Sequence, residues 1–300
     1  MSPEDILLPL EKSNTNTNPV LISIDLEDFT YDCLRSLGKK PSSNIFALDT
    51  FYKTISNFIE CYLPQKKLTF FTTGTLAREY PDLIKTLSND GHEISSHYNF
   101  HDLMFDQSIR DIEFNIESAK ESIFKACGKL PLGFRAPSFS IQPFNWDIFR
   151  LISKYFKYDS SFVLHQEHIQ EYKKSIKNEV ANDFYEFPIV SKKYLNKFNI
   201  KSGGTFFRLF PSKILHQVID YNLQNNFVPQ IYLHPYDLLT KKEFLVTYKN
   251  FHEFENKFWK SSFRYLRQYQ WLALNNKSAL NKLALITKCY NHLGRFDQLI

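Results

Sequence analysis

Between residues 20 and 237, short apolar runs alternate with helix-length amphipathic stretches, and four of those runs end on a residue able to do chemistry. The runs at 20–25, 68–72, 92–96, 132–135, 157–161, 185–190 and 228–233 have the length of strands. The stretches 45–62, 81–89, 106–127, 146–156 and 211–224 have helical spacing. In 106–127, for example, Ile109, Ile112, Ile116, Ala119, Ile123 and Ala126 step by three and four before Gly128 ends the pattern. Strands alternating with helices predict βα units and a parallel sheet or barrel. Asp25, His97, Arg135 and His234 each fall at or just after a predicted strand's C-terminal end. In a (β/α) barrel all such ends meet on one face, where sites are built.

Several function classes lose support from composition. The chain has 300 residues and a net charge of +5, too weakly basic to argue for nucleic acid. With 8 glycines it has no GxGxxG or GxxxxGK[ST], so no nucleotide-binding loop is expected. Cys33, Cys61, Cys127 and Cys289 are scattered without CxxC spacing, which predicts free thiols in a reducing compartment. The first residues, MSPEDILLPLEKSNTNTNP, lack the basic and apolar regions of a signal peptide, and no apolar run reaches the ~18 residues of a membrane span. A cytoplasmic location is therefore expected. We divide the chain into a flexible lead (1–18), an α/β barrel (19–240) and a basic, mainly helical extension (241–300).

Four short segments carry candidate chemistry. Ser23–Phe29, SIDLEDF, offers Asp25, Glu27 and Asp28. On a strand Asp25 and Glu27 share a face, and two such carboxylates can divide the work of metal ligand and proton acceptor. In SHYNFH, His97 and His101 stand at i and i+4, so one helical turn would bring both imidazoles together with zinc-site spacing. Arg135, beside a proline-stiffened turn in GFRAPSFS, can hold a buried carboxylate, and His234 in YLHPYD can protonate a leaving amine. Taken singly, each segment also has a plain reading as a solvated loop or a surface residue.

In order and spacing, SIDLEDF, GHEISSHYNFHDL, GFRAPSFSI, YDSSF, GGTFFRLFP and YLHPYDL resemble the polysaccharide deacetylase superfamily (NodB homology domain, carbohydrate esterase family 4). They look closest to its cytosolic branch linked to surface-glycan synthesis. The resemblance implies a distorted (β/α) barrel, a divalent metal, usually Zn2+, and hydrolysis of an N-acetyl or O-acetyl group on a sugar that is nucleotide-linked, lipid-linked or part of an oligosaccharide. It makes Asp25 the base, His97 and His101 the imidazole ligands, Arg135 the residue that orients the base and His234 the acid. The family's commonest pattern has two adjacent aspartates where this chain has Asp-Leu-Glu-Asp, so the carboxylate ligand is Glu27 or, in second place, Asp28. The acidic partner of the catalytic histidine is Asp159 or Glu186. The backbone N–H of Ser138 is a candidate oxyanion donor, and Tyr98, Phe139 and Tyr236 are candidate sugar-stacking rings. The alternatives are a relative that hydrolyses a cyclic imide or ureide, and an inactive glycan-binding barrel.

Residues 241–300 hold 11 Lys and Arg against 4 Asp and Glu. Read as one helix, 251–272 puts Lys257, Lys260, Arg264 and Arg267 on one face and Phe254, Phe258, Tyr265 and Tyr269 on another, with Trp259 and Trp271 elsewhere. Such a pattern suits peripheral contact with an anionic membrane face. The plainer expectation is an aromatic stripe packed on the barrel.

Overall fold

The computed structural model describes residues 18–179, 183–240, 243–255 and 257–300, the side chains of 177 and 178 excepted. Of the expected lead, 1–18, all but residue 18 lies outside these. In chain order the strands are β1 (Pro19–Leu26), β2 (Thr69–Thr72), β3 (Glu93–Ser96), β4 (Gly133–Phe134), β5 (Tyr158–Asp159), β6 (Val163–Leu164), β7 (Tyr185–Glu186), β8 (Ile189–Val190), β9 (Lys192–Tyr194), β10 (Phe198–Ile200), β11 (Gln230–Leu233) and β12 (Asn291–His292). The main sheet runs β11-β1-β2-β3-β4-β5-β7, parallel throughout, with β12 beside the start of β1. Two small pairs, β6 with β8 and β9 with β10, lie outside it. The fold is the expected α/β one, a distorted and incompletely closed (β/α) barrel.

Period-two alternation sorts the strand side chains into two environments. On β1, Val20, Ile22, Ile24 and Leu26 join a core with the helices Ile45–Tyr62 and Pro81–Asn89, while Leu21 packs inside the barrel. Its interior neighbours Phe71, Tyr158, Phe187 and Phe296 plug the floor with aromatic rings. Above that plug the interior turns polar: Ser23 and Asp25 follow Leu21 on the same face and are buried. Helix Ile109–Cys127 forms where spacing predicted it. Ser108 caps its first turn, and Gly128, at φ 74, ends it in a left-handed conformation that favours glycine.

The outer strands β11 and β7 do not pair, and one side chain spans the seam. Gln230, at the start of β11, donates through Nε2 to the carbonyls of Phe187 (2.5 Å) and Pro188 (3.0 Å) just beyond β7. Its Oε1 accepts from Arg135 at 2.9 Å. An amide therefore replaces a backbone ladder, and it ties the seam to the arginine of the site.

The C-terminal region is mainly helical, as expected, but does not end as a separate appendage. Its last residues return to the barrel: β12 pairs with β1 and Phe296 completes the floor. His292 sits between strands, its Nδ1 accepting from the Ile22 N–H at 3.3 Å and its Nε2 lying 3.1 Å from the Lys67 carbonyl. The expected 251–272 helix is two helices, Tyr248–Glu255 and Phe258–Leu272. Lys257 stands between them with extended dihedrals (φ -137, ψ 116), so the two halves cannot share a face as drawn. Tyr265 packs inward against Leu37, Val246 and Phe251. The outward stripe of the second helix is instead Trp259 (82% exposed), Phe263 (68%) and Leu266 (66%).

Candidate active site

The residues expected at strand ends converge on one rim. Asp25 is the penultimate residue of β1, and His97, Arg135 and His234 directly follow β3, β4 and β11. Arg135 is fully buried and every donor is used. Its Nη1 donates to Asp25 Oδ1 at 2.6 Å and to Ser23 Oγ at 2.8 Å, its Nη2 to Ser160 Oγ and Gln230 Oε1, and its Nε to the Ser160 carbonyl. The guanidinium also lies 4.0 Å from the centroid of the Phe71 ring. A buried charge so fully bonded cannot reorient cheaply, so Asp25 is held in one pose with Oδ2 turned away from the pair.

Asp25 Oδ2 lies 3.9 Å from His234 Nε2. The other ring nitrogen of His234 is 2.8 Å from Asp237 Oδ2, which also accepts the His234 backbone N–H at 2.8 Å. Asp237 Oδ1 lies 2.5 Å from Nε of the fully buried Arg208. Burial alone would lower the His234 pKa, but Asp237, with Glu27 and Asp25 adding to it, raises the value and favours the protonated ring. This corrects the assignment of the histidine's acidic partner. Asp159 and Glu186 face each other across β5 and β7, bonded to Ser161 and to the Phe162 N–H. Burial and the neighbouring Asp159 push the Glu186 pKa well up, so that pair holds a proton behind Arg135 rather than behind His234.

Asp237 was within reach of sequence reasoning, since it lies three residues after His234 in YLHPYD and a short 3-10 turn (Pro235–Asp237) folds it back. Arg208 lay unused in GGTFFR. The two glycines of that segment are explained by close approach. A Cβ on Gly203 would come 2.3 Å from the Tyr232 ring, and one on Gly204 would meet His234 Cε1 at 3.3 Å with φ at +52.

Glu27, His97 and His101 form a second cluster, with one ligand atom from each within 4.8 Å of the others. The imidazoles meet differently from the expected helical turn. Residues 97–101 are irregular and Tyr98 has φ 68, yet the rings lie 5.5 Å apart. His97 Nδ1 is 2.7 Å from the Arg135 carbonyl, which can only accept, so Nδ1 carries the proton and Nε2 presents its lone pair. That Nε2 is buried without a hydrogen-bond partner. Burial also pushes the His97 pKa down to about 4, keeping the ring neutral. An orphaned imidazole nitrogen beside a carboxylate fits a divalent cation, and the backbone carbonyl behind it fixes the tautomer as metal sites require. Burial would raise the Glu27 pKa, but His101, 2.6 Å away, pulls it down to about 2. Asp28, the alternative ligand, is occupied otherwise: it caps helix Phe29–Ser36 through the Thr30 and Tyr31 N–H groups and accepts from Asn44 N–H at 2.6 Å. Glu27 is the carboxylate in the cluster.

Ser138 is exposed, with φ 52, and Phe139 follows at φ 55, so the turn after Arg135 carries two consecutive left-handed residues beside the site. Tyr236 stacks on the His234 ring, centroids 4.8 Å apart and planes 7° from parallel. Tyr98 does not line the cleft. It is fully buried with its hydroxyl on Gln107, because the left-handed turn at Tyr98 sends the ring into the core.

Fold and strand-end chemistry place the chain among parallel (β/α) barrels with a polar site on one rim. A family model for polysaccharide deacetylase matches residues 51–150, and one for a domain of unknown function (DUF3473) matches residues 163–276. A chitooligosaccharide deacetylase of Azorhizobium caulinodans is 36% identical over 70 residues, 23% of this chain and 33% of that protein. The peptidoglycan-N-acetylmuramic acid deacetylase PdaA of Bacillus subtilis is 34% identical over 61 residues, 20% of this chain and 23% of that protein. The chain thus matches a third or less of the length of these relatives. A solved Mycobacterium smegmatis structure, assigned to the polysaccharide deacetylases, has a TM-score of 0.50 at 15% identity over 94% of both chains, a likeness of fold. Residues 51–150 thus match the polysaccharide deacetylase family, in line with the resemblance that the motifs carry.

Proposed function

We propose that the protein is a divalent-metal-dependent hydrolase that removes an N-acetyl group from a sugar of a surface-glycan precursor. The observation that carries this reading is the opposition of two restrained groups. Asp25, fixed by Arg135, and His234, fixed by Asp237, face each other across 3.9 Å beside the Glu27, His97 and His101 cluster. A divalent cation held by those three residues, most simply Zn2+, supplies a Lewis acid for the acyl oxygen and lowers the pKa of water.

The chain's own residues do the rest. Asp25 Oδ2 accepts the proton of the attacking water, and Arg135 keeps the carboxylate aimed. The backbone N–H of Ser138, in the turn after Arg135, is our candidate donor to the developing oxyanion. His234 gives a proton to the departing nitrogen, and Asp237 holds the correct tautomer. His234 must be protonated to act, and its raised pKa keeps it so. Activity is therefore lost as pH rises through that raised value. The test is acetate release from acetylated nucleotide-linked, lipid-linked and free oligosaccharides, with and without chelator. Acetate from at least one class, abolished by chelator and restored by zinc, is the expected result. In His97→Ala, metal analysis should find stoichiometric zinc lost. Ring opening of a cyclic imide without acetate release from any sugar would overturn the deacetylase reading.

We further propose a cytoplasmic enzyme that touches an anionic membrane surface through helix Phe258–Leu272. Its outward stripe of Trp259, Phe263 and Leu266 is flanked by Lys260, Arg264 and Arg267, and the helix contains no acidic residue. A second copy meeting this face would bring like charges together, whereas acidic headgroups complement it. Co-sedimentation with vesicles containing phosphatidylserine should exceed that with neutral vesicles and fall with salt. Equal binding to both, or concentration-dependent dimerisation lost in Phe263→Glu, would overturn it.

A further inference from the structure

One charged group close to the site has no part in the chemistry above. Lys201 follows β10 and precedes the two glycines packed on Tyr232 and His234. Ser202 fixes the segment by donating to the Gln230 carbonyl at 2.6 Å. The Lys201 Nζ lies 4.8 Å from the Phe139 ring centroid and 5.9 Å from that of Tyr232. These two rings meet edge to face at 4.9 Å, and the Arg135 guanidinium is 5.8 Å from each. A wall of two aromatics thus separates Arg135 from a second cation, which stands where Phe139 and Ser138 border the cleft.

Lys201 is half-buried and has no ion pair among the described residues. The acid whose charge it feels is Asp25, already bonded to Arg135. Burial outweighs Asp25's pull and lowers its pKa to about 8. A desolvated ammonium without a counter-ion is costly to keep, and ring faces compensate it only in part. An anion arriving with the substrate would complete the compensation.

We infer that Lys201 binds a phosphate carried by the substrate sugar beside its acetamido group, so that the enzyme selects phosphate-linked sugars over neutral oligosaccharides. The inference rests on the deacetylase reading and names its substrate class. When the acetamido carbon is at the Asp25–His234 site, a phosphate on the adjacent anomeric carbon is one ring position away. Lysine presents a compact charge with three rotatable donors, which suits the oxygens of a tetrahedral phosphate. A nucleotide and a lipid carrier present the same phosphate chemistry.

The experiment compares kcat/KM on a phosphate-linked acetamido sugar, in nucleotide- and lipid-linked form, with that on the matching neutral oligosaccharide. The wild type should prefer the phosphate-linked form, and Lys201→Met should reduce the preference about tenfold or more, through KM, with Lys201→Arg recovering part of it. Preference for only one carrier form identifies the source of the phosphate. An unchanged preference in Lys201→Met overturns the inference, as does a preference for a carboxylate-bearing sugar over the phosphate-linked one. A second readout does not depend on turnover. Calorimetric binding of the deacetylated sugar phosphate should weaken about tenfold in Lys201→Met. Weakened binding without acetate release from any substrate would retain the phosphate site and reject the deacetylase reading, whereas acetate release with unweakened binding would do the reverse.

Discussion

Asp25→Asn should retain the fold and the metal yet lose about 10²–10⁴-fold in kcat, the range a positioned general base contributes. Asn preserves the shape of the side chain and an oxygen for the Arg135 Nη1 donor, now 2.6 Å away. What it removes is the second oxygen, the one facing His234, as a proton acceptor. The loss should fall on kcat rather than KM, because the group acts in the transition state. Arg135 keeps its bonds to Ser23, Ser160 and Gln230 and gains the amide oxygen, so the substitution leaves that buried charge with five neutral acceptors. The melting temperature should therefore fall modestly. A variant with near-wild-type turnover, metal content confirmed, would remove Asp25 from the role of base.

The residues that sequence reasoning located share one property: each terminates an apolar run, so strand periodicity alone placed it on the rim. Asp25, His97, Arg135 and His234 come together because parallel strands put their C-terminal ends side by side, which needs no knowledge of loops. The features that escaped depend on local backbone irregularity. The i, i+4 spacing of His97 and His101 pointed to a helical turn, but a left-handed Tyr98 brings the rings together and buries its own side chain. Asp237 reaches His234 through a 3-10 turn, a three-residue element with no periodicity to read. Residues 251–272 kept helical spacing across a break at Lys257, since a spacing pattern records which residues are apolar and not whether the backbone between them is continuous. The return of β12 and Phe296 was invisible for another reason: their partners on β1 and β2 lie more than two hundred residues away in sequence.

Arg208→Met should cost about 3–5 kcal/mol of stability, the usual effect of removing one partner of a buried ion pair. Asp237, fully buried and 2.5 Å from Arg208 Nε, would keep only His234 as partner. The guanidinium also donates to the carbonyls of Trp271 and Leu274 and to Asn276 Oδ1. Asn276 in turn donates to the carbonyls of Tyr236, Leu239 and Leu272, so the same arginine joins the His234 turn to the end of helix Phe258–Leu272. A purely structural role would lower the melting temperature and leave the pH profile alone. A positioning role predicts more. Asp237 raises the His234 pKa and holds the ring, so Asp237→Asn, which keeps the shape, should move the alkaline limb of kcat to lower pH. In Arg208→Met the limb should move the other way, because an unneutralised Asp237 attracts the His234 proton more strongly. Opposite displacements in the two variants, read from pH–rate curves at a temperature where both are folded, are the expected signature. An unmoved limb in Arg208→Met, or one moved in the same direction as in Asp237→Asn, would show that Arg208 supports the fold without setting the charge on Asp237.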